Sequence, residues 1–221
     1  MNNELFIFDM DDTLIDGDSS TIWNHFLVEK GIVTDPSFLK QDDALMQLYR
    51  QGKMSMEDYL SFTLQPLENI PLSQLEQWVD ECVSEKIMPR IYPQAKVLLE
   101  QLQSQQQEIL VISATASLIV QPLAKAMGIH QALGIDLKEE YGRLTAQIEG
   151  TASYREGKVK RLEQWLEQLS LDRNRLKIHF YTDSINDLPL CLYADQVHLV
   201  NPCPQLTEAA QTHWHAHHWT H

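Results

Sequence analysis

The chain has 221 residues, 43% hydrophobic and 22% charged, which is enough apolar length for a substantial core and leaves no low-complexity linker. Its net charge of −14 argues against nucleic acid or an anionic membrane surface as a partner, because both are bound through clustered Lys and Arg. Cys82, Cys191 and Cys203 have no metal or redox spacing, the opening Met-Asn-Asn-Glu has no basic-then-apolar leader, and no apolar run reaches the roughly 18 residues of a membrane span, so a cytoplasmic protein with reduced thiols is expected.

Leu5 to Phe8 is a continuous apolar run of the kind that forms a strand buried on both faces. It ends abruptly in Asp9-Met10-Asp11-Asp12-Thr13, with Asp16 and Asp18 following. In extended chain, residues two apart point the same way, so Asp9 and Asp11 aim their carboxylates into one volume. Such crowding calls for a divalent cation with hard oxygen ligands, the alternative being an acidic turn.

From residue 19 to 88 the patterns are helical. Ile22, Trp23, Phe26 and Leu27 share one face; Asp35 before Pro36 reads as an N-cap; Ser55 with Asp58 resembles a capping box; and Leu72, Leu75, Val79, Cys82 and Lys86 mark a fourth helix. Four helices inserted after the first strand would form a compact lid.

Beyond Pro89 and Pro93 helix and strand alternate, the signature of a layered parallel sheet with crossover helices. Ala95 to Leu102 is a helix, Ile109 to Ile112 a buried strand, Ser117 to Met127 a helix closed by Gly128, and Leu133 to Leu137 a further strand. Arg143 to Ile148 alternates after Tyr141-Gly142 and predicts an exposed hairpin or flap. A helix carrying Val159, Leu162, Leu166 and Leu169, opened by a capping box from Ser153 to Glu156, precedes a strand over 176–182, a helix over 188–194 and a last core strand over 197–200. The tail holds His213, His215, His217, His218 and His221 without metal-site spacing, and reads as a terminal strand or a frayed end.

Open parallel sheets bind ligands outside the carboxyl ends of their strands. Three such ends carry reactive types. Ser113 and Ala114 follow Leu110-Val111-Ile112, where a hydroxyl and main-chain amides at a helix start could hold a phosphate. Lys158 lies in the first turns of its helix, from which it could reach an anion over the strand ends, or simply be solvated. In Tyr181-Thr182-Asp183-Ser184-Ile185-Asn186-Asp187, Asp183 ends a strand and Asp187 follows one helical turn later, giving a second acidic strand end to share a cation with the first.

Taken together, DMDDT, Ser113, Lys158 and DSIND, in that order, resemble the haloacid dehalogenase superfamily of phosphohydrolases, over the whole chain and in particular its phosphoserine-phosphatase-like branch. The resemblance implies an α/β, Rossmann-like three-layer core of residues 1–17 and 90–221, with residues 18–89 as an inserted helical C1 cap. It implies a Mg²⁺-dependent phosphomonoester hydrolase in which Asp9 is the nucleophile, Asp11 the acid and base, and Ser113, Ala114, Lys158 and Asn186 the phosphoryl and substrate side. Mg²⁺ would be held by Asp9, the Asp11 carbonyl and Asp183, supported by Asp187. Ala114-Thr115 and Thr182-Asp183-Ser184 depart from the Gly-Gly and Gly-Asp-Gly usual in phosphoserine phosphatases, which puts serine specificity in doubt. Asp18 stands where relatives place an acid near a substrate amino group, so the expected substrate is a small phosphorylated metabolite such as histidinol phosphate or phosphoserine. A phosphotransferase with the same aspartyl-phosphate intermediate, and a non-catalytic phosphate-binding or signalling protein, are the competing functions.

Overall fold

A computed structural model describes residues 3–221. The first strand, β1 (Glu4–Phe8), lies inside a six-stranded parallel sheet, and its last four residues are buried. Leu5 and Ile7 point into one core layer and Phe6 and Phe8 into the other, which is why the run needs no polar alternation. Four helices follow: α1 (Ser19–Glu29), α2 (Phe38–Arg50), α3 (Met56–Leu64) and α4 (Leu72–Cys82). As expected, no strand lies between β1 and the next core element, α5 (Pro93–Ser104). Strand β2 (Glu108–Ala116) then leads into α6 (Ser117–Ala126) and β3 (Gln131–Ile135).

A hairpin of β4 (Leu137–Glu140) and β5 (Arg143–Ile148) turns at Tyr141-Gly142, both with positive φ, the geometry that suits a two-residue hairpin turn. It is not a free flap. The Gly142 carbonyl accepts from Leu72 N at 2.8 Å, which ties the tip to the start of α4, and α3 packs along β5. The chain closes with α7 (Glu156–Gln168), β6 (Lys177–Thr182), α8 (Leu188–Tyr193), β7 (Gln196–Val200), α9 (Pro204–Ala209) and β8 (His215–His217). The sheet order is β3-β2-β1-β6-β7-β8, with every pairing parallel. The His-rich tail is therefore an edge strand, anchored by the buried Trp219 beside Tyr92. No helix among the described residues is long and apolar enough to cross a membrane.

Three local expectations are corrected. Asp35 does not cap α2; it accepts from Ser37 N and Oγ in the preceding turn, and the helix starts at Phe38. Ser153 does not open α7, because its side chain is buried and its hydroxyl donates to the Ser113 carbonyl, while Arg155, at φ 53°, breaks the helical path before Glu156. Ser113 and Ala114 do not stand at a helix start, since β2 runs on to Ala116. Gly134 makes that extension possible: a Cβ there would sit 2.7 Å from the Thr115 carbonyl.

The chain crosses between the sheet and helices α1–α4 at two adjacent segments. Asp16 N donates to the Arg90 carbonyl at 2.8 Å, and Tyr92 N to the Leu14 carbonyl at 3.0 Å. The Tyr92 hydroxyl also lies 3.3 Å from Asp16 Oδ1, so Asp16 belongs to this crossing rather than to the acidic cleft.

Candidate active site

The main-chain ladder of β1 and β6 carries on one residue past the strands, where Asp9 N donates to the Tyr181 carbonyl at 2.9 Å. This fixes Asp9 beside the end of β6. Lys158 reaches the same place from the first turn of α7: its Nζ is 2.8 Å from Asp9 Oδ1 and 2.8 Å from Asp187 Oδ2. The α7 start can approach so closely because residue 157 is glycine; a Cβ there would collide with the Ala152 carbonyl. Thr182 Oγ1 donates to Asp187 Oδ2 at 2.7 Å, so the supporting acid is held by both strand end and lysine.

Asp11 is held on both oxygens. Ser19 N, at the start of α1, donates to Oδ1 at 2.7 Å; Thr115 Oγ1 donates to Oδ2 at 2.8 Å, with Ser113 Oγ at 3.4 Å. Asp183 accepts from Thr13 Oγ1 at 3.3 Å. Asp18 caps α1 by accepting from Thr21 N at 2.7 Å, and with Asp9, Asp11, Asp12 and Asp183 it lines a cleft of about 290 Å³. Tyr49 and Arg50, from the last turn of α2, face the same cleft. Asn186 is buried; its side-chain amide donates to the Tyr49 carbonyl at 3.0 Å and its Oδ1 accepts from the Tyr154 hydroxyl, so it braces α2 over the strand ends.

The electrostatics are those of too many acids in one place. Burial pushes the Asp9 carboxyl up to about 7 despite the pull of Lys158, and burial together with Asp9 raises Asp183 well above the usual carboxylate range. Asp18 is raised by burial and then by Asp11. Burial opposes the Lys158 ammonium, yet Asp187 and Asp9 more than offset it and hold its pKa above the ordinary lysine value. Lys158, with Arg50 at the cleft wall, does not balance this group, which leaves uncompensated negative charge. Asp9 Oδ1 is taken by Lys158 and Asp183 Oδ1 by Thr13, and the second oxygen of each has no hydrogen-bond donor among the described residues. Those two oxygens are hard donors facing one cleft. Among the described residues no three His, Cys, Asp or Glu side chains form a ready cage, so a cation here would be completed by water and substrate, as suits Mg²⁺.

A larger cavity, about 550 Å³, lies away from the strand ends, between α4, α6 and the hairpin. Its lining carries Glu76, Asp80, Asp136, Glu139 and Glu149 with no Lys or Arg, a setting that repels a phosphate. The smaller cleft, by contrast, has Arg50 in its lining and Lys158 bound to its Asp9.

All the sequence-predicted site residues converge on this end of the sheet or brace it, although Ala114 lies one step deeper toward α3, lining a small pocket with Tyr59 and Met56. Thr115, Ser19, Tyr49 and Arg50 were not among the expected site residues. For Thr115 a signal existed, since period 2 places it on the face of Ser113 in an otherwise apolar strand. Ser19, Tyr49 and Arg50 carry no such mark.

The model of the haloacid dehalogenase-like hydrolases matches residues 6–191. The chain belongs to that family. It is an enzyme of the phosphatase kind, and among its relatives is a histidinol-phosphatase of Neisseria meningitidis serogroup C (strain 8013), 36% identical over 209 residues that cover 94% of each chain. A solved protein of unknown function from Bordetella pertussis Tohama I superposes with a TM-score of 0.89 at 33% identity, covering 98% of both chains. A phosphoserine phosphatase captured as a phospho-aspartyl intermediate analogue shares the fold, with a TM-score of 0.68 at 19% identity over 96% of this chain and 92% of that one.

Proposed function

We propose that this phosphatase hydrolyses a small phosphomonoester through an aspartyl-phosphate on Asp9, within a core of residues 1–17 and 90–221 capped by residues 18–89. The observation that carries the reading is Lys158, buried between Asp9 and Asp187 at the ends of β1 and β6. An Asp9 oxygen attacks phosphorus as the bond to the leaving oxygen breaks, and Asp11 passes its proton to that oxygen. In the second half, Asp11 takes a proton from the water that attacks the phosphorus, which releases phosphate and frees Asp9. Lys158 holds the Asp9 carboxylate in line and, with Ser113 and the main chain at Ala114, offers positive charge and donors to the phosphoryl oxygens. Asn186 keeps α2, with Tyr49 and Arg50, over the substrate. Asp9, the Asp11 carbonyl and Asp183, with Asp187 in support, would hold Mg²⁺, which would supply charge neutralisation between carboxylate and phosphate.

For the substrate we favour an amino-alcohol phosphate, histidinol phosphate first. The support is the histidinol-phosphatase relative and the half-buried Asp18, an acid at the cleft wall that makes no ion pair among the described residues, suited to a cationic nitrogen. The three thiols, free in the structure, fit a cytoplasmic setting. Phosphate release across a panel of phosphorylated metabolites in Mg²⁺ tests the proposal. Release is expected to peak with amino-alcohol phosphates and to vanish in Asp9→Asn; equal release by that variant would remove Asp9 as the nucleophile.

A further inference from the structure

Thr115 is buried and polar at the end of a strand whose inward residues, Ser113 apart, are apolar. Its hydroxyl has one proton, and the 2.8 Å contact with a carboxylate oxygen of Asp11 takes it. The 3.1 Å contact between the Thr115 and Ser20 hydroxyls then has a defined sense: Ser20, on α1, donates and Thr115 accepts. A chain of hydrogen bonds thus runs from the helical insertion, through Thr115, to Asp11. Ser113 Oγ is farther from the same oxygen, at 3.4 Å, and it accepts from Thr115 N at 3.1 Å, so the strand end itself is stiffened around Thr115.

We infer that Thr115 is a positioning residue for Asp11, aiming its carboxyl at the leaving-group oxygen and relaying the seating of α1 through Ser20. The inference rests on the assignment of Asp11 as acid and base. When Asp11 gives its proton to the leaving oxygen, negative charge appears on the carboxylate, and the Thr115 hydroxyl is already in place to donate to it. With Ser19 N on the other oxygen, rotation of the carboxylate is blocked from both sides. Without the Thr115 hydroxyl, Oδ2 keeps only the long contact to Ser113.

Leaving-group chemistry tests this. An alkyl phosphate needs its leaving oxygen protonated, whereas p-nitrophenyl phosphate leaves as a stable anion and does not. Thr115→Val, which keeps the shape, is expected to lower kcat/KM, which reports transfer to Asp9 and not the later hydrolysis shared by both substrates, by roughly ten- to a hundredfold on an alkyl phosphate, the weight of one hydrogen bond to a charged group, with little change on p-nitrophenyl phosphate. Thr115→Ser should restore the alkyl rate, and Ser20→Ala should give a smaller loss of the same selectivity. Should the valine variant not fold, Thr115→Ala carries the same comparison. Equal losses of kcat/KM on both substrates, or none, would overturn the inference and make Thr115 a packing residue. Asp11→Asn separates the two levels: if it too shows no leaving-group selectivity, the acid and base assignment fails and takes the inference with it; if it does and Thr115→Val does not, only the inference fails.

Discussion

Lys158 and Asp187 meet at 2.7 Å in a place where both side chains are 1% exposed, and the same ammonium holds Asp9. Removing one partner of a buried ion pair strands the other, at a cost of about 3–5 kcal/mol. Lys158→Met is therefore expected to unfold at markedly lower urea concentration in the metal-free protein at pH 7.5, besides losing activity. Burial already holds the Asp9 carboxyl above its unfolded pKa and the variant removes the lysine that pulls it down, so the folded variant binds more protons and regains stability as the pH falls. Urea titrations at pH 7.5 and pH 5 should show the gap to the native protein narrowing at the lower value. A constant gap would mean the carboxylates are not charged in the fold.

The strand ends and the lysine could be found in the sequence because their signals are local. An apolar run stopped by Asp9 and Asp11, another stopped by Asp183, and a lysine in the first turn of a helix each fit within a few residues. What holds those residues in place could not be found that way. Thr115 lies 104 positions from Asp11, and Asn186 lies 137 from Tyr49, and neither contact leaves a periodic trace. The Ser153 cap fails for a similar reason. The local pattern is sound, but a distant carbonyl, that of Ser113, competes for the hydroxyl and wins because both groups are buried. The hairpin at Tyr141-Gly142 is legible as a turn, whereas its anchorage to Leu72 depends on where the insertion folds back.

On the opposite edge of the sheet from β3, four histidines stand close together. His198 Nδ1 lies 3.1 Å from His217 Nε2, its Nε2 lies 3.4 Å from His179 Nδ1, and its ring stacks on Tyr181 at 4.2 Å, with His215 at the far side. Burial, then the neighbouring His217, His179 and His215, pushes His198 down to about 3, and Lys177 adds to the effect. The folded protein keeps this ring neutral while the unfolded chain takes up its proton below about 6.5, so stability is present above that pH and is lost as pH falls toward 3. Each such proton contributes a slope of about 1.4 kcal/mol per pH unit. His198→Phe, which preserves the stack, should flatten urea stability between pH 6.5 and 4 by about one proton. An unchanged slope would place the acid sensitivity elsewhere.

Asp183 is raised by burial and by Asp9, and among the described residues no lysine pairs with it directly, Lys158 pulling it down less than those push it up. In the absence of Mg²⁺, Asp183→Asn is expected to raise Tm, because the amide still accepts from Thr13 and no longer repels its neighbours. A gain of ~1 kcal/mol corresponds to about 2–4 °C for a chain of this size. Adding Mg²⁺ at a hundredfold excess over Kd should stabilise the native protein by about 2.7 kcal/mol and leave the variant nearly unmoved. Thermal unfolding with and without Mg²⁺ reads both effects. A variant that is less stable without metal, or that gains as much from it, would remove Asp183 from the cation site.

Asp18 offers the sharpest test of substrate class because its two tasks can be separated. Its carboxylate caps α1 through Thr21 N, a task that Asn performs equally well, and Asn ends the repulsion from Asp11, so Asp18→Asn should fold with at least native stability. What the substitution removes is charge at the wall of the cleft. If a cationic nitrogen of the substrate sits there, KM for an amino-alcohol phosphate should rise by about tenfold, equivalent to ~1.4 kcal/mol, while KM for a neutral alkyl phosphate of similar size stays put or falls. kcat should change little for either, since Asp18 is not among the groups that exchange protons or bonds with the phosphoryl centre. A parallel rise in both KM values would mean that Asp18 shapes the cleft without reading charge, and would leave the amino-alcohol reading without its structural support.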